Sequence, residues 1–345
     1  MAAGGAIRIA LLLIAALIGC ADPTGRAAAA ETPINFTLDR AIDAASAPLL
    51  IALEKGDYQA AGVNVTISPG PNSQEAIKRV VSGGYDMGVA DLTTLIKFRD
   101  AAAKASVKAV FVLTNRPAFA IIGRKSRGIT EPKDLEGKRL GAPAADISFA
   151  QWPIFAHATG IDPAKVKVEN IGALVREPML AAGQVDAITG LTFSSYVDLK
   201  RNGVPLADIA VLPMADYGVD LYGSAVIVNT DFAAKHPAAV AGFLTALVNG
   251  LKRTACDPGL AIDALSRHAD LTDRSVELER LNLLLRDNVL TPEVKANGLG
   301  GIDPARFGRA VDQIALIYNF QHGKPTLTDV FDSSFLPSAS ERAIR

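Results

Sequence analysis

From residue 33 onward, the apolar positions switch repeatedly between a two-residue and a helical period. Ile34, Phe36 and Leu38 alternate with polar neighbours, and residues 46–61 then read as a helix stopped by Gly62. Val63, Val65 and Ile67 alternate again, and residues 74–82 return to a helix ended by Gly83 and Gly84. Residues 87–90, 107–113 and 119–122 are short apolar strand runs. Strands alternating with helices in this way predict βαβ units and a mainly parallel sheet.

The pattern then begins a second time. Leu140-Gly141 opens a strand, residues 149–159 are helical up to Gly160, and Val166 and Val168 start another strand. Residues 178–182 are helical before Gly183, and 186–189 form a strand. Ser82-Gly83-Gly84-Tyr85-Asp86 resembles Ala182-Gly183-Gln184-Val185-Asp186: a helix end, a glycine cap, then an aspartate opening a strand. The preceding glycine stops, Gly62 and Gly160, lie 21 and 23 residues upstream of these caps. Shared spacing predicts two versions of one α/β unit with a cleft between them, the usual place for a ligand. Beyond residue 231 the text changes to long helices, 231–253, 274–287 and 304–320, expected to pack back on the first unit. Residues 224–228 are expected to form a strand returning the chain across the hinge.

Composition narrows the function classes. The 345 residues are 49% hydrophobic with a net charge of -1, enough apolar material for two cores and no basic stripe for a nucleic acid. Residues 1–30 depart from this and read as an export leader: Arg8 gives the positive start, and 9–18 is an apolar run too short for a good membrane span. Two cleavage readings stay open. Leu17-Ile18-Gly19-Cys20 resembles a lipobox, with Cys20 lipidated, and Ala28-Ala29-Ala30 offers an ordinary cleavage site before Glu31. Either route leaves Cys256 without an intramolecular partner, so no disulfide is expected.

Several segments together are similar to a known family. They are residues 48–62, Ser68-Pro69-Gly70, Ser82 through Gly88, Ile129-Thr130-Glu131-Pro132-Lys133-Asp134-Leu135-Glu136-Gly137-Lys138, and Ala182 through Ala187. This set resembles the SsuA/THI5-like (NMT1) solute-binding proteins over about residues 33–260, most specifically at 129–138. The resemblance implies an α/β, periplasmic-binding-protein type II fold: two lobes with mixed sheets and a ligand cleft between them. It places a first lobe at 33–116 plus 223–335 and a second at 117–222. It also implies a small ligand (a sulfonate or taurine, nitrate, a thiamine-precursor pyrimidine or a related organic acid) and a permease and ATPase of an ABC importer as partners. The expected form is a monomer in the periplasm or on the outer face of the cytoplasmic membrane, without a cofactor.

In open α/β sheets, ligands sit beyond the carboxyl ends of strands, where helix N-termini present unpaired N–H groups. That rule selects residues 39–46, 71–74, 91–93, 145–152 and 190–193. Within them Ser46, Asn72, Ser73 and Ser148 are candidate ligand contacts, and each is equally a helix cap. Asp39 and Asp91 are candidate acceptors, and Thr192 and Phe193 are candidates from the second lobe. Trp152, the single tryptophan, and Tyr222 offer stacking faces, with a core position as the plain alternative. Arg116 at the crossing can clamp an anion or brace the hinge, and Arg176-Glu177 reads as a salt-bridged pair. An aromatic ligand would use the rings with Asp39 or Asp91, and an anion would use the helix starts with Arg116; both sets are present.

Catalytic constellations are not evident. His157, His236, His268 and His322 are scattered without metal-ligand spacing, and neither a phosphate loop nor a nucleophile elbow appears. The enzymatic alternative is a synthase of the thiamine pyrimidine, whose fungal members carry a pyridoxal-phosphate lysine and a cysteine-rich motif. Cys20 and Cys256 make no such cluster. A second alternative is a ligand-sensing protein serving a signalling partner.

Overall fold

The computed structural model describes Met1 and residues 31–144, 146–271 and 273–344. The expected export leader after Met1, with the candidate lipidation site Cys20, lies outside the described residues, as does Ala145.

Among the described residues ten strands build two sheets. The first contains β1 (Thr32–Thr37), β2 (Val63–Ser68), β3 (Met87–Asp91) and β4 (Val107–Val112). The second contains β5 (Phe119–Arg124), β6 (Arg139–Ala142), β7 (Lys167–Asn170), β8 (Ala187–Leu191) and β9 (Ile209–Pro213). The last strand, β10 (Ser224–Asn229), returns to the first sheet. The orders are β2-β1-β3-β10-β4 and β7-β6-β8-β5-β9, which are one arrangement used twice. Each sheet has an antiparallel member: β10 runs against β3 and β4, and β5 against β8 and β9. The mainly parallel expectation therefore becomes two mixed sheets, because each strand that follows a crossing enters from the opposite end.

The repeated helix-end motifs perform one task in both sheets. Asp86 precedes β3, and its Oδ2 accepts from the Asn35 N–H of β1 at 2.7 Å. Asp186 precedes β8, and its Oδ2 accepts from the Arg139 N–H of β6 at 2.9 Å. Gly83 and Gly183 end the preceding helices at φ 76° and 77°, where a side chain would be strained. In each case the aspartate satisfies a backbone donor of the neighbouring strand.

Helix boundaries differ from the periodic reading where a backbone breaker intervenes. The helix expected over 46–61 is two, Ala47–Glu54 and Asp57–Ala60, separated by Gly56 at φ 70°. The one expected over 231–253 is Thr230–Lys235 and Pro237–Cys256, because Pro237 cannot continue the preceding hydrogen-bond ladder. Helices Leu92–Ala101 and Thr192–Arg201 and strand β9 are additional to the sequence reading. The C-terminal helices Pro237–Cys256 and Pro258–Leu265 pack on Ala47–Glu54. Two isolated bridges, Ala109 to Phe331 and Val112 to Gly300, also attach the C-terminal stretch to β4.

The chain passes between the sheets twice, through 113–118 and 214–223, and the crossings touch. Gly223 N donates to Thr114 O at 3.0 Å, and Ser224 N donates to Thr114 Oγ1 at 2.7 Å. A Cβ at Gly223 would stand 2.2 Å from Thr114 Oγ1 and 3.0 Å from its carbonyl oxygen. Gly223→Ala is therefore expected to cost about 1–3 kcal/mol by forcing the crossings apart. The urea midpoint measures this; an unchanged midpoint would contradict the close approach.

Candidate functional site

The carboxyl ends of β1 and β3 meet helix Ser73–Val81 at one buried point. Asp39, 7% exposed, accepts from Ser73 Oγ at 2.8 Å and from Arg40 Nε at 3.1 Å. Ser73 Oγ in turn accepts from Asp91 N at 3.0 Å. Asn72, not Ser73, caps that helix by accepting from Glu75 N. Ser73→Ala would leave Asp91 N–H and Asp39 Oδ2 without this partner. The expected loss is about 1–3 kcal/mol, read by chemical denaturation.

Asp91 begins helix Leu92–Ala101. Its Oδ1 accepts from Thr94 N at 2.8 Å and from Thr94 Oγ1 at 3.0 Å, while Oδ2 has no hydrogen-bond partner. The residue is 2% exposed. Burial pushes its carboxyl up to about 6 against the pull of the Thr94 donors, with the nearby Asp39 charge adding to the rise.

Ser46 does not cap the helix that follows it. Asp43 caps the short turn Ala44–Ser46 by accepting from Ala45 N, and Ser46 Oγ donates to Asp43 O at 2.6 Å. Burial raises the Asp43 carboxyl, and Arg40 opposes that rise. Ser148 likewise makes no capping bond; it is fully buried, and its Oγ has no partner.

These segments line a small, largely apolar cavity between the two sheets. Asp39, Arg40, Asp43, Ser46 and Asp91 line it from the first-sheet side. Ala118, Phe119, Ile147, Leu191 and Phe193 line it from the second. The rest is largely apolar and comes partly from the C-terminal helices, through Leu251, Leu281, Leu284, Leu285 and Val289. Ile147 also borders an outer hollow where Asn72, Ser73 and Thr93 face Asp146 and Gln151. Asp146 is held by Arg176 Nη1 at 2.7 Å and by Thr189 Oγ1 at 3.2 Å; Arg176 also pairs with Glu177 at 2.8 Å.

The remaining candidates stand elsewhere. Arg116 pairs with Asp216 on a separate hollow that Thr192 also lines, and Thr192 Oγ1 faces Asn288 Oδ1 at 3.4 Å. Trp152, 4% exposed, packs against Phe155 at 6.1 Å between centroids, so its ring belongs to the core. Tyr222 is buried beneath the Arg306 guanidinium, 4.0 Å from the ring centroid, with its hydroxyl donating to Glu293 at 3.1 Å. Arg40, Asp43, Asp146 and Ile147 are absent from the sequence candidates although they fall inside the segments the strand-end rule selects. The leucines of the C-terminal helices carry no local signal that separates them from ordinary core.

One side of the cleft is bridged by charge. Arg280 pairs with Asp198 and Glu277, Lys200 Nζ donates to Glu279 at 2.8 Å, and Glu277 Oε2 accepts from Ala44 N at 3.1 Å. The helix that presents Phe193 is thereby tied to the turn that presents Ser46.

Residues 43–261, well over half of the chain, match the family described as NMT1/THI5 like. A 4-amino-5-hydroxymethyl-2-methylpyrimidine phosphate synthase from Schizosaccharomyces pombe is 27% identical over 58% of this chain and 59% of the synthase. A formylaminopyrimidine-binding protein from Halalkalibacterium halodurans is 24% identical over 80% of the chain and 83% of its own length. The riboflavin-binding protein RibY of Chloroflexus aurantiacus is 25% identical over 85% and 83%. Among solved structures, the periplasmic aliphatic sulphonate binding protein SsuA from Escherichia coli superposes with a TM-score of 0.67 at 15% identity. That match covers 83% of this chain and 92% of SsuA, and it shows a shared fold.

Proposed function

This chain belongs to the NMT1/THI5-like family, and on that premise we propose that it captures a small solute outside the cytoplasmic membrane for the permease and ATPase of an ABC importer. The lobes in this reading are 33–116 with 223–335 and 117–222, and the solute lies between them. Asp39, Arg40, Ser46 and Asp91 serve one wall, Ile147 and Phe193 the other, with Asn72 and Ser73 towards the mouth.

The observation that carries the reading is where polar groups go unpaired. Buried polar atoms in a folded chain are almost always hydrogen-bonded. Among the described residues five side-chain atoms are not; Asp91 Oδ2 belongs to a residue that lines this cavity, and Gln151 Oε1 to one that lines the outer hollow beside it. An unsatisfied carboxylate oxygen in the wall of an apolar cavity is what a solute would satisfy, and the bond gained would offset the cost of closing the lobes. Binding rather than catalysis is supported by relatives that align over 80% and 85% of the chain, both named for binding, whereas the synthase aligns over 58%.

A melting-temperature screen over amines, amino-heterocycles, flavins, carboxylates, sulfonates and nitrate tests this. A solute at 100 times its dissociation constant is expected to stabilise the chain by about 2.7 kcal/mol. That gain should disappear in Phe193→Ala; stabilisation that persists there would place the solute elsewhere.

A further inference from the structure

Helix Thr192–Arg201, which follows β8, packs against helix Arg274–Leu284 from the C-terminal stretch, and opposite charges meet along the seam. Arg280 donates across it to Asp198 and, one turn back on its own helix, to Glu277. Asp198 also accepts from Ser194 Oγ of its own helix at 3.3 Å. Lys200 Nζ donates to both carboxylate oxygens of Glu279, at 3.1 and 2.8 Å, and both side chains are partly exposed. Ser275 holds the Asp273 carboxyl low through its hydroxyl and its N–H, and the Arg201 charge across the seam adds to this. If the seam parts, Arg280 keeps Glu277 and Asp198 keeps Ser194, while Lys200 and Glu279 meet water. Glu277 itself stays fixed by Ala44 N at 3.1 Å. No buried charge is stranded, so the usual high cost of breaking a buried pair does not arise. The joined form is also not fully satisfied, since Arg280 Nε has no partner among the described residues.

Resting on the cleft reading above, we propose that this seam is a salt-sensitive latch: Arg280 and Lys200 hold the side of the cleft shut, and ionic strength sets how often it parts. The same two helices carry cavity walls, Phe193 on one and Leu281 and Leu284 on the other, and Leu281 directly follows Arg280. Parting the charges therefore opens the cavity from the side. A solute held between Phe193 and Leu281 favours the joined form that the ion pairs favour, so the two act on one equilibrium. Exposed pairs are weak and screened by salt, and each shifts the joined-to-parted ratio by up to about fivefold. That scale leaves the balance adjustable, which a wholly apolar seam would not allow.

Small-angle X-ray scattering of the whole exported chain, with sodium chloride as the only variable, reads the latch. At about 0.01 M, where the Debye length is about 30 Å, the radius of gyration is expected near the roughly 20 Å of a compact chain this long. At about 1 M, where that length is about 3 Å, the radius should rise. Lys200→Glu turns attraction to Glu279 into repulsion and should be expanded already at low salt. Combining it with Glu279→Lys should restore both the compact radius and the salt response. Asp198→Asn, which leaves Arg280 to Glu277, should expand the chain by a second route, and circular dichroism checks that each variant is folded. A wild-type radius that ignores salt, or one unchanged in both single variants, overturns the latch. Expansion that the Lys200/Glu279 charge swap does not reverse overturns it too. No solute enters these measurements, so their failure leaves the cleft reading to be judged separately by the Phe193→Ala screen.

Discussion

Replacing Arg306 by alanine is expected to lower the stability of the chain by about 3–5 kcal/mol, the scale for uncovering the partners of a buried ion network. The guanidinium is 9% exposed and joins both crossings to the C-terminal helices. Its Nη2 donates to Asn115 O at 3.0 Å and to Leu221 O at 2.6 Å, one carbonyl from each crossing. Its Nε donates to Asp220 at 2.8 Å and its Nη1 to Glu293 at 2.9 Å, while its plane covers Tyr222. Alanine would leave Glu293 and two carbonyls without these bonds and open a void over the tyrosine ring. Arg306→Lys should recover only part of the loss, since one ammonium cannot serve a planar set of acceptors. Equilibrium unfolding in urea measures both variants, and a loss below about 1 kcal/mol for alanine would show that the clasp is dispensable.

The second large effect has the opposite sign. Asp91→Asn is expected to stabilise the solute-free chain by up to about 3 kcal/mol above pH 7, the free-energy equivalent of a carboxyl raised from 3.8 to about 6. A raised acid pKa means the folded chain binds this proton more tightly than the unfolded chain. The wild type therefore loses stability from Asp91 as pH climbs from about 4 to about 6 and regains none above it. Asparagine has no such proton, so the advantage of the variant should shrink to nearly nothing near pH 4. Melting curves of the two proteins across that range give the comparison. A destabilised variant at neutral pH would mean that the charge supports the fold rather than awaiting a partner. A residue that weakens the empty protein and is needed when it is loaded is the usual compromise at a binding site.

Much of the architecture was legible because its signals are local. Alternation at Ile34, Phe36 and Leu38 and at Val63, Val65 and Ile67 marks strands with one buried face, and Gly62, Gly83, Gly160 and Gly183 sit at positive φ where helices or turns end. The Asp86 and Asp186 repeat turned out to carry a shared backbone contact between strands. Helix Leu92–Ala101 was not legible, since Thr93, Thr94 and Ile96 are poor helix formers and its start depends on the Asp91 cap. The strand-end rule found the cleft segments, but not which side chains in them face the cavity. Trp152 and Tyr222 show why: a large ring beside a cleft has as much to gain from a core, and only packing tells the two apart. The leucines from the C-terminal helices come from far along the chain, and no spacing in the sequence links them to Asp39.

The most direct measurement is a crystal structure of the chain with a solute that raises its melting temperature. The account predicts the solute between the sheets, with a donor within hydrogen-bonding distance of Asp91 Oδ2 and its body against Phe193 and Ile147. A solute bound instead in the hollow beside Arg116 and Asp216, with Asp91 Oδ2 still unpaired, would contradict it.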